Sequence, residues 1–276
     1  MALYLDHLVL KVDDLEKAQS NFSKLGFTVS AGGVHGGGLS KNALIHFEDD
    51  TFIELFSLTK GIKSSFLKGL KGSKIFKQYQ YSKKWGLAYR FYSRCLELPD
   101  GVTDVCFLSD DFNTECDRIN NEGLFLTKTI KGKRRKPDGS KAVWQMSAPF
   151  INEMPFLRSA YSPPAEIANE MKTHENGAKG IESLKIMALD YKDMTSKYQL
   201  FLNAAPTVSE KEPGQKSIFK LKSSSLEVIK SSDHKDLKIQ LQGKGLGMYG
   251  ITLKQDDPKQ NQFDANLLHG LVILND

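Results

Sequence analysis

Cysteine is scarce in this chain: three in 276 residues, Cys95, Cys106 and Cys116, with no C-x-x-C pair. An odd number at such spacing excludes a disulfide framework and argues against a thiolate metal site, so buried free thiols are expected. Long apolar runs are also missing. No stretch approaches the ~18 residues of a membrane span, and Met-Ala-Leu-Tyr-Leu-Asp-His lacks the basic start and apolar middle of a signal peptide. A cytoplasmic protein is expected. No dinucleotide fingerprint follows a strand, and no convincing Ser-His-Asp or Cys-His order emerges. Acidic residues are absent from Lys60 to Lys84, which holds eight lysines, and Lys131-Gly-Lys-Arg-Arg-Lys136 is a second basic cluster. Phe66, Phe76, Tyr79 and Tyr81 stand among the first group. Without a nucleic-acid-binding motif, these lysines read as a solvated face, with steering of an anionic small substrate as the intermediate reading. The expected partner is a small molecule, with neither nucleic acid nor membrane involved.

What is present is ordinary globular composition, 40% hydrophobic and 26% charged with a net charge of +5, enough for a sizeable core or two domains. A repeat organises it. The segment from Leu5-Asp-His-Leu-Val-Leu through Asp13-Asp14-Leu to Leu25-Gly26-Phe27 superposes without a gap on Val102-Thr-Asp-Val-Cys-Phe through Asp110-Asp111-Phe to Glu122-Gly123-Leu124. Each reads as a half-buried strand, an aspartate-capped helix and a glycine stop. A third copy runs from Ile181 through a helix over Lys192 to Asn203 to a hairpin of Ser217–Ser223 and Ser225–Lys230. A clipped fourth begins at Met248, has a short helix over Gln262 to Leu268 and closes with Leu271–Leu274. One helix with three or four strands cannot bury both faces of its sheet, so the units should pair. The expectation is an α+β fold of repeated βαβββ units paired into curved, half-barrel sheets. It has two lobes, 1–160 and 178–276, joined by a linker over 161–177 that holds two prolines.

Two residues speak about chemistry. Alternation puts His7 on one face of its strand with Leu5 and Val9, and Asp6, Leu8 and Leu10 on the other; Glu54 shares a face with Phe52 and Phe56. An imidazole and a carboxylate on a concave, core-lining face need a hydrogen bond, an ion pair or a cation. A closed His–Glu hydrogen bond and a ligand or metal site both satisfy that need. Gly32-Gly33-Val34-His35-Gly36-Gly37-Gly38 suits either a plain connection or a loop whose N–H groups cradle an anion, but it lacks the Gly-Lys-Ser/Thr ending of a P-loop. Arg134, Arg135 and Trp144 offer planar two-pronged recognition of an acid and a flat apolar wall. His174, in His-Glu-Asn-Gly, reads as turn chemistry.

The chain resembles the glyoxalase-like proteins of the vicinal oxygen chelate superfamily. The matching residues are Leu5–Leu10, Asp13-Asp14-Leu15, Leu25–Val29, Gly32–His35 leading to Asn42–Ile45, and Thr51–Leu55. Later come Arg135–Gly139 before Trp144, Met154-Pro155-Phe156 and His174–Ala178. The likeness spans about 1–180 and is most specific in its first 58 residues. It implies paired βαβββ units enclosing a cup, with a divalent ion, Mn, Mg, Zn or Fe, held by residues of the first and last strands of each unit. Carried over, that nominates His7 and Glu54 as metal ligands and Glu54 as the catalytic group. The repeat adds Asp104 opposite His7, while the last strand of the second unit offers no clear counterpart of Glu54. The resemblance gives His35 and Asn42 a rim role and, with Arg135 and Trp144, implies substrate-binding contacts to an acidic or polar aromatic ligand. Ser183 and Gly250 stand at the His7 position of the later copies, so no such site is expected in the second lobe. Two functions follow: a metal-assisted lyase, isomerase or dioxygenase acting on a small oxygen-rich molecule, or a non-catalytic protein that sequesters one. A monomer or a homodimer is expected.

Overall fold

The strands group into two mixed sheets. In the computed structural model, which describes residues 3–35, 38–60, 65, 69, 73–135, 141–210, 215–230, 247–256 and 263–274, the first sheet holds eight strands. They are β1 (Leu3–Lys11), β2 (Ser30–His35), β3 (Ser40–His46), β4 (Phe52–Leu58), β5 (Gly101–Ser109), β6 (Ile130–Arg135), β7 (Lys141–Ser147) and β8 (Phe156–Ser159). Their order is β2-β3-β4-β1-β5-β8-β7-β6. β1 and β5 pair antiparallel at the centre, and each has its own unit's last strand, β4 or β8, parallel on its outer side. That arrangement is the two-fold expected of paired βαβββ units, curled into a half-barrel. The second sheet repeats it with a clipped half: β10 (Thr207–Ser209), β11 (Lys216–Lys220), β12 (Ser225–Lys230), β9 (Ala178–Ala188), β13 (Met248–Gln255) and β14 (Ile273–Leu274), in that spatial order. β9 is parallel to β12 and β13 to β14.

Helix α1 (Leu15–Lys24) starts where Asp14 accepts a hydrogen bond from the Lys17 N–H. The same bond opens its counterparts, from Thr114 N–H to Asp111 and from Asp193 N–H to Asp190. It satisfies a free donor of the first turn and sets a negative charge at the helix's positive end. The aspartates read from the sequence as caps act as caps. Helix α2 (Lys74–Gln78) and helix α3 (Gly86–Glu97) lie between the first two units and have no counterpart in the repeat. Helices α4 (Phe112–Asn121) and α5 (Tyr191–Leu202) are the repeat's own.

Strict alternation fails in β1, and the failure builds the site. Leu5 pairs with Phe107 and His7 with Cys106, so Asp6 is an extra residue, a β-bulge that puts two side chains on one side of the strand. Leu3, Leu5, Leu8 and Leu10 all enter the helix-side core, whereas Val9 packs on the opposite face with Cys106 and Phe156. The expectation that Asp6 points away from His7 is thereby corrected. The same slip occurs at Thr103, Glu182 and Tyr249, each one residue before the position of His7 in its copy. In every copy the apolar residues accordingly step by three and then by two: Leu5-Leu8-Leu10, Val102-Val105-Phe107, Ile181-Leu184-Ile186 and Met248-Ile251-Leu253.

One core serves both sheets. Phe22 of α1, Ile119 of α4 and Phe201 of α5 belong to a single buried cluster with strands of each sheet, and the Phe107 and Phe201 rings meet edge to face at 5.7 Å. Arg118 of α4 donates to the Leu200 and Phe201 carbonyls of α5, both at 2.7 Å. The end of the stretch read as a linker packs against the first unit, where His174 and Asn176 are buried. His174 is buried against Phe27 and Phe47, its Nδ1 accepting from Thr28 N–H (2.9 Å) and its Nε2 donating to the His46 carbonyl (2.9 Å).

Candidate functional site

His7 and Glu54 come together on the concave face of the first sheet. The imidazole is buried, stacked on Phe52 at 4.3 Å between ring centroids and edge-on to Phe156 at 5.6 Å. Its Nδ1 lies 2.5 Å from Asp6 Oδ2 and its Nε2 3.5 Å from Glu54 Oε2. Asn42 Nδ2 donates to the other Glu54 oxygen at 2.6 Å, and Asn42 Oδ1 accepts from Gly33 N–H at 2.6 Å. Gly32 makes room for that amide, since a Cβ there would sit 2.0 Å from Asn42 Oδ1. The His35 ring lies parallel over Phe56 at the rim, at 6.3 Å.

The bulge lets Asp6 brace His7 from behind. Both Asp6 oxygens accept from Arg158, at 2.6 and 2.7 Å, in a two-pronged pair buried from solvent. Arg158 in turn stacks 4.1 Å over the Tyr161 ring, which meets Trp144 edge-on at 5.1 Å. Trp144 lies across Gly132, where a Cβ would come within 2.2 Å of the indole. A continuous chain thus runs from Trp144 through Tyr161, Arg158, Asp6, His7 and Glu54 to Asn42.

Electrostatics fix the protonation states. Burial favours a neutral Asp6, but Arg158 and His7 outweigh it and hold the carboxyl at about 2. Burial likewise opposes an imidazolium at His7, yet Cys106, Asp6 and Glu54 around it raise its pKa well above the ordinary value. Cys106 is pushed up to about 12 by its own burial and is therefore a neutral thiol at neutral pH. Asp6 and Glu54 are the groups around His7 that bring negative charge, which favours its protonated form. For Glu54 burial works upward and is overcome by His7, His35 and Asn42, so it stays ionised.

The second half of the cup is different. Asp104 stands at the His7 position of its unit, but α3 covers it: Arg90 donates to both carboxylate oxygens, at 2.7 and 2.6 Å, and Arg94 adds a third contact. Burial and the neighbouring guanidinium lower Arg94 to about 10. The register settles the missing counterpart of Glu54. Glu54 pairs with Val9 and Phe156 with Cys106, the residue that superposes on Val9, so a phenylalanine stands there and Glu153 lies outside the strand. The residues nominated from the sequence are thus divided. His7, Glu54 and Asn42 touch, His35 stands at the rim, Trp144 joins through Tyr161 and Arg158, and Asp104 is engaged by two arginines. The Arg135 side chain lies outside the described residues, although its backbone pairs with Lys141. Asp6, Arg158, Tyr161 and the α3 arginines escaped the sequence reading. The signal for Arg158 was a cation inside a buried strand.

The family follows from comparison. The glyoxalase-like domain family matches residues 5–202. The chain belongs to this family. Three solved structures share its fold. A hypothetical protein from Staphylococcus aureus aligns with a TM-score of 0.63 at 16% identity over 92% of this chain and 91% of that one. A xylose isomerase-like TIM barrel/4-hydroxyphenylpyruvate dioxygenase fusion protein aligns at 0.52 and 16% over 93% and 37%, so this glyoxalase-like chain spans little more than a third of it. A mutant of 4-hydroxymandelate synthase from Streptomyces coelicolor aligns at 0.52 and 10% over 93% and 72%. No curated protein matches the sequence, and identities this low carry the fold alone.

A metal must be weighed against the donors present. Asp6, His7 and Cys106 offer ligand atoms within 4.8 Å of one another, close enough to hold an ion. Taking one would strip the Cys106 thiol of its proton and set the ion beside the Arg158 guanidinium, which Asp6 already holds. Of the four cup positions that the repeat equates, only His7 and Glu54 keep donors unclaimed by a guanidinium. As built, this set does not fit a resident ion. Among the described residues no helix is long and apolar enough to cross a membrane.

Proposed function

We propose that this glyoxalase-like protein binds a small oxygen-rich or anionic molecule at the His7–Glu54 edge of the N-terminal cup and moves a proton on it, in the manner of an isomerase or lyase. The observation that carries the reading is a part-exposed carboxylate, Glu54, with the buried His7 imidazole behind it and the Asn42 amide beside it. Glu54 has 15% of its side chain exposed and is the group an entering ligand meets. Its 3.5 Å link to His7 is looser than a good N–H···O bond, so the Nε2–H is the donor a ligand oxygen takes over. Glu54 then accepts a proton from the ligand and returns it, while His7, kept charged by Asp6, stabilises the oxyanion that forms. Asn42 and His35 complete the rim, with Trp144 and Tyr161 as the apolar wall. The formal charges of Asp6, His7, Glu54 and Arg158 cancel, and Asp104 with Arg90 and Arg94 leaves one positive charge, which suits an anionic or oxygen-rich guest.

A second reading, sequestration without chemistry, is favoured by Asp104 and Phe156, which leave the second half of the cup without a reactive group. One experiment separates the two. Small hydroxy acids, oxo acids and diketones are screened by thermal shift, and hits are followed by NMR for exchange of carbon-bound hydrogen in D₂O. A ligand at a hundred times its Kd adds about 2.7 kcal/mol. Proton transfer requires exchange that Glu54→Gln abolishes while binding survives; binding without exchange leaves sequestration, and no shift with any class overturns both. Metal analysis after incubation with Mn²⁺ or Zn²⁺ should return far less than one ion per chain. A stoichiometric ion lost in His7→Ala and Glu54→Ala would restore a metal-assisted mechanism.

A further inference from the structure

The lysine-rich stretch before α3 carries something a solvated face lacks. Tyr81, Trp85 and Phe125 are 77%, 50% and 70% exposed, and Lys83, Lys84 and Lys128 on the same two segments are exposed as well. The backbone brings the pieces into one patch: Lys128 N–H donates to the Lys83 carbonyl at 2.7 Å, and Gly86 packs so closely on Thr127 that a Cβ would lie 3.1 Å from its methyl. The Lys84 ammonium sits 5.1 Å from the Trp85 ring. Neither 73–86 nor 124–135 contains an acid.

We propose that this patch is a docking surface for an anionic lipid bilayer. Three bulky rings half or more in water represent unrealised burial, and a headgroup layer accepts a ring with its polar edge still wet. The cations around the rings match a negative surface, each lysine near it adding about fivefold to binding. Single-stranded nucleic acid would call for rings set along a groove that tracks a backbone; here Tyr81 ends a 3-10 turn, Trp85 caps α3 and Phe125 lies on a loop. None of these lysines or rings is a residue given a part in the chemistry assigned to Glu54, so the two proposals stand or fall separately.

The test is co-sedimentation of the full chain with phosphatidylcholine vesicles and with vesicles containing phosphatidylserine, at low and at physiological salt. Binding only to the anionic vesicles, weakened by salt, is expected. Lys83→Glu with Lys84→Glu should lower the partition by about 25-fold or more, and Trp85→Ala with Phe125→Ala should abolish it, both pairs melting as the native chain does. In Trp144→Phe, the remaining tryptophan's emission should shift blue on adding anionic vesicles. Equal binding to both vesicle types, no binding to either, or retention of an oligonucleotide without retention of vesicles overturns the proposal.

Discussion

Replacing Arg158 by Met tests the support behind His7 most directly. The methionine keeps most of the hydrocarbon volume and removes the cation, leaving Asp6 buried with one partner, the His7 imidazolium. The carboxyl stands at about 2 against an ordinary 3.8, a difference equivalent to roughly 2.5 kcal/mol of stability at neutral pH. Removing one member of a buried, hydrogen-bonded pair costs about 3–5 kcal/mol, because the survivor stays desolvated. Urea unfolding followed by far-UV circular dichroism at pH 7 should therefore show the variant less stable by about 3 kcal/mol or more. A depressed carboxyl pKa contributes stability above its unfolded value and loses it as pH falls towards 2. About half of the Asp6 contribution should remain at pH 3, and the gap between native chain and variant should narrow there. Equal stabilities at pH 7, within 0.5 kcal/mol, would show that Asp6 is not held in this pair and would remove the reason for His7 to stay charged.

Other outcomes follow from the same geometry. His174→Gln should cost about 2 kcal/mol at pH 7, because Thr28 N–H and the His46 carbonyl lose their buried partner. Burial lowers the His174 pKa, so its contribution is whole above pH 6.5 and declines below; in His174→Gln the slope of stability against pH between 6.5 and 5 should flatten, and an unchanged slope in urea titrations would contradict the assignment. Gly132→Ala should force the Trp144 indole off the strand, costing about 1–3 kcal/mol and altering the near-UV circular dichroism of the Trp144–Tyr161 contact. Arg90→Met with Arg94→Met should destabilise the chain by several kcal/mol through the stranded Asp104, with partial rescue when Asp104→Asn is added, read as the third arm of a mutant cycle.

Much of the fold was legible because the repeat writes it several times. The cap aspartates, the glycine stops and the strand–helix–hairpin order recur in register, and the inward His7 and Glu54 were visible from alternation. Two things hid. The bulge at Asp6 breaks the two-residue period that alternation assumes, although the Leu5-to-Leu8 step of three, repeated at Val102, Ile181 and Met248, was its trace. Helix α3 hid because the face it buries carries Arg90, Ser93 and Arg94, which a hydrophobicity pattern assigns to solvent; Asp104 and the carbonyls of Thr103, Asn152 and Met154, all further along the chain, satisfy the two guanidinium groups there. The same pairing explains why a carboxylate in the right place by sequence is engaged elsewhere in space.

The apolar layer common to both sheets governs how the protein can be divided. A chain cut after residue 177 would expose the inner faces of α1 and α4 to water, and the remainder would present α5 bare. Neither fragment should accumulate in soluble form alone, whereas the two produced together should recover each other through that shared layer.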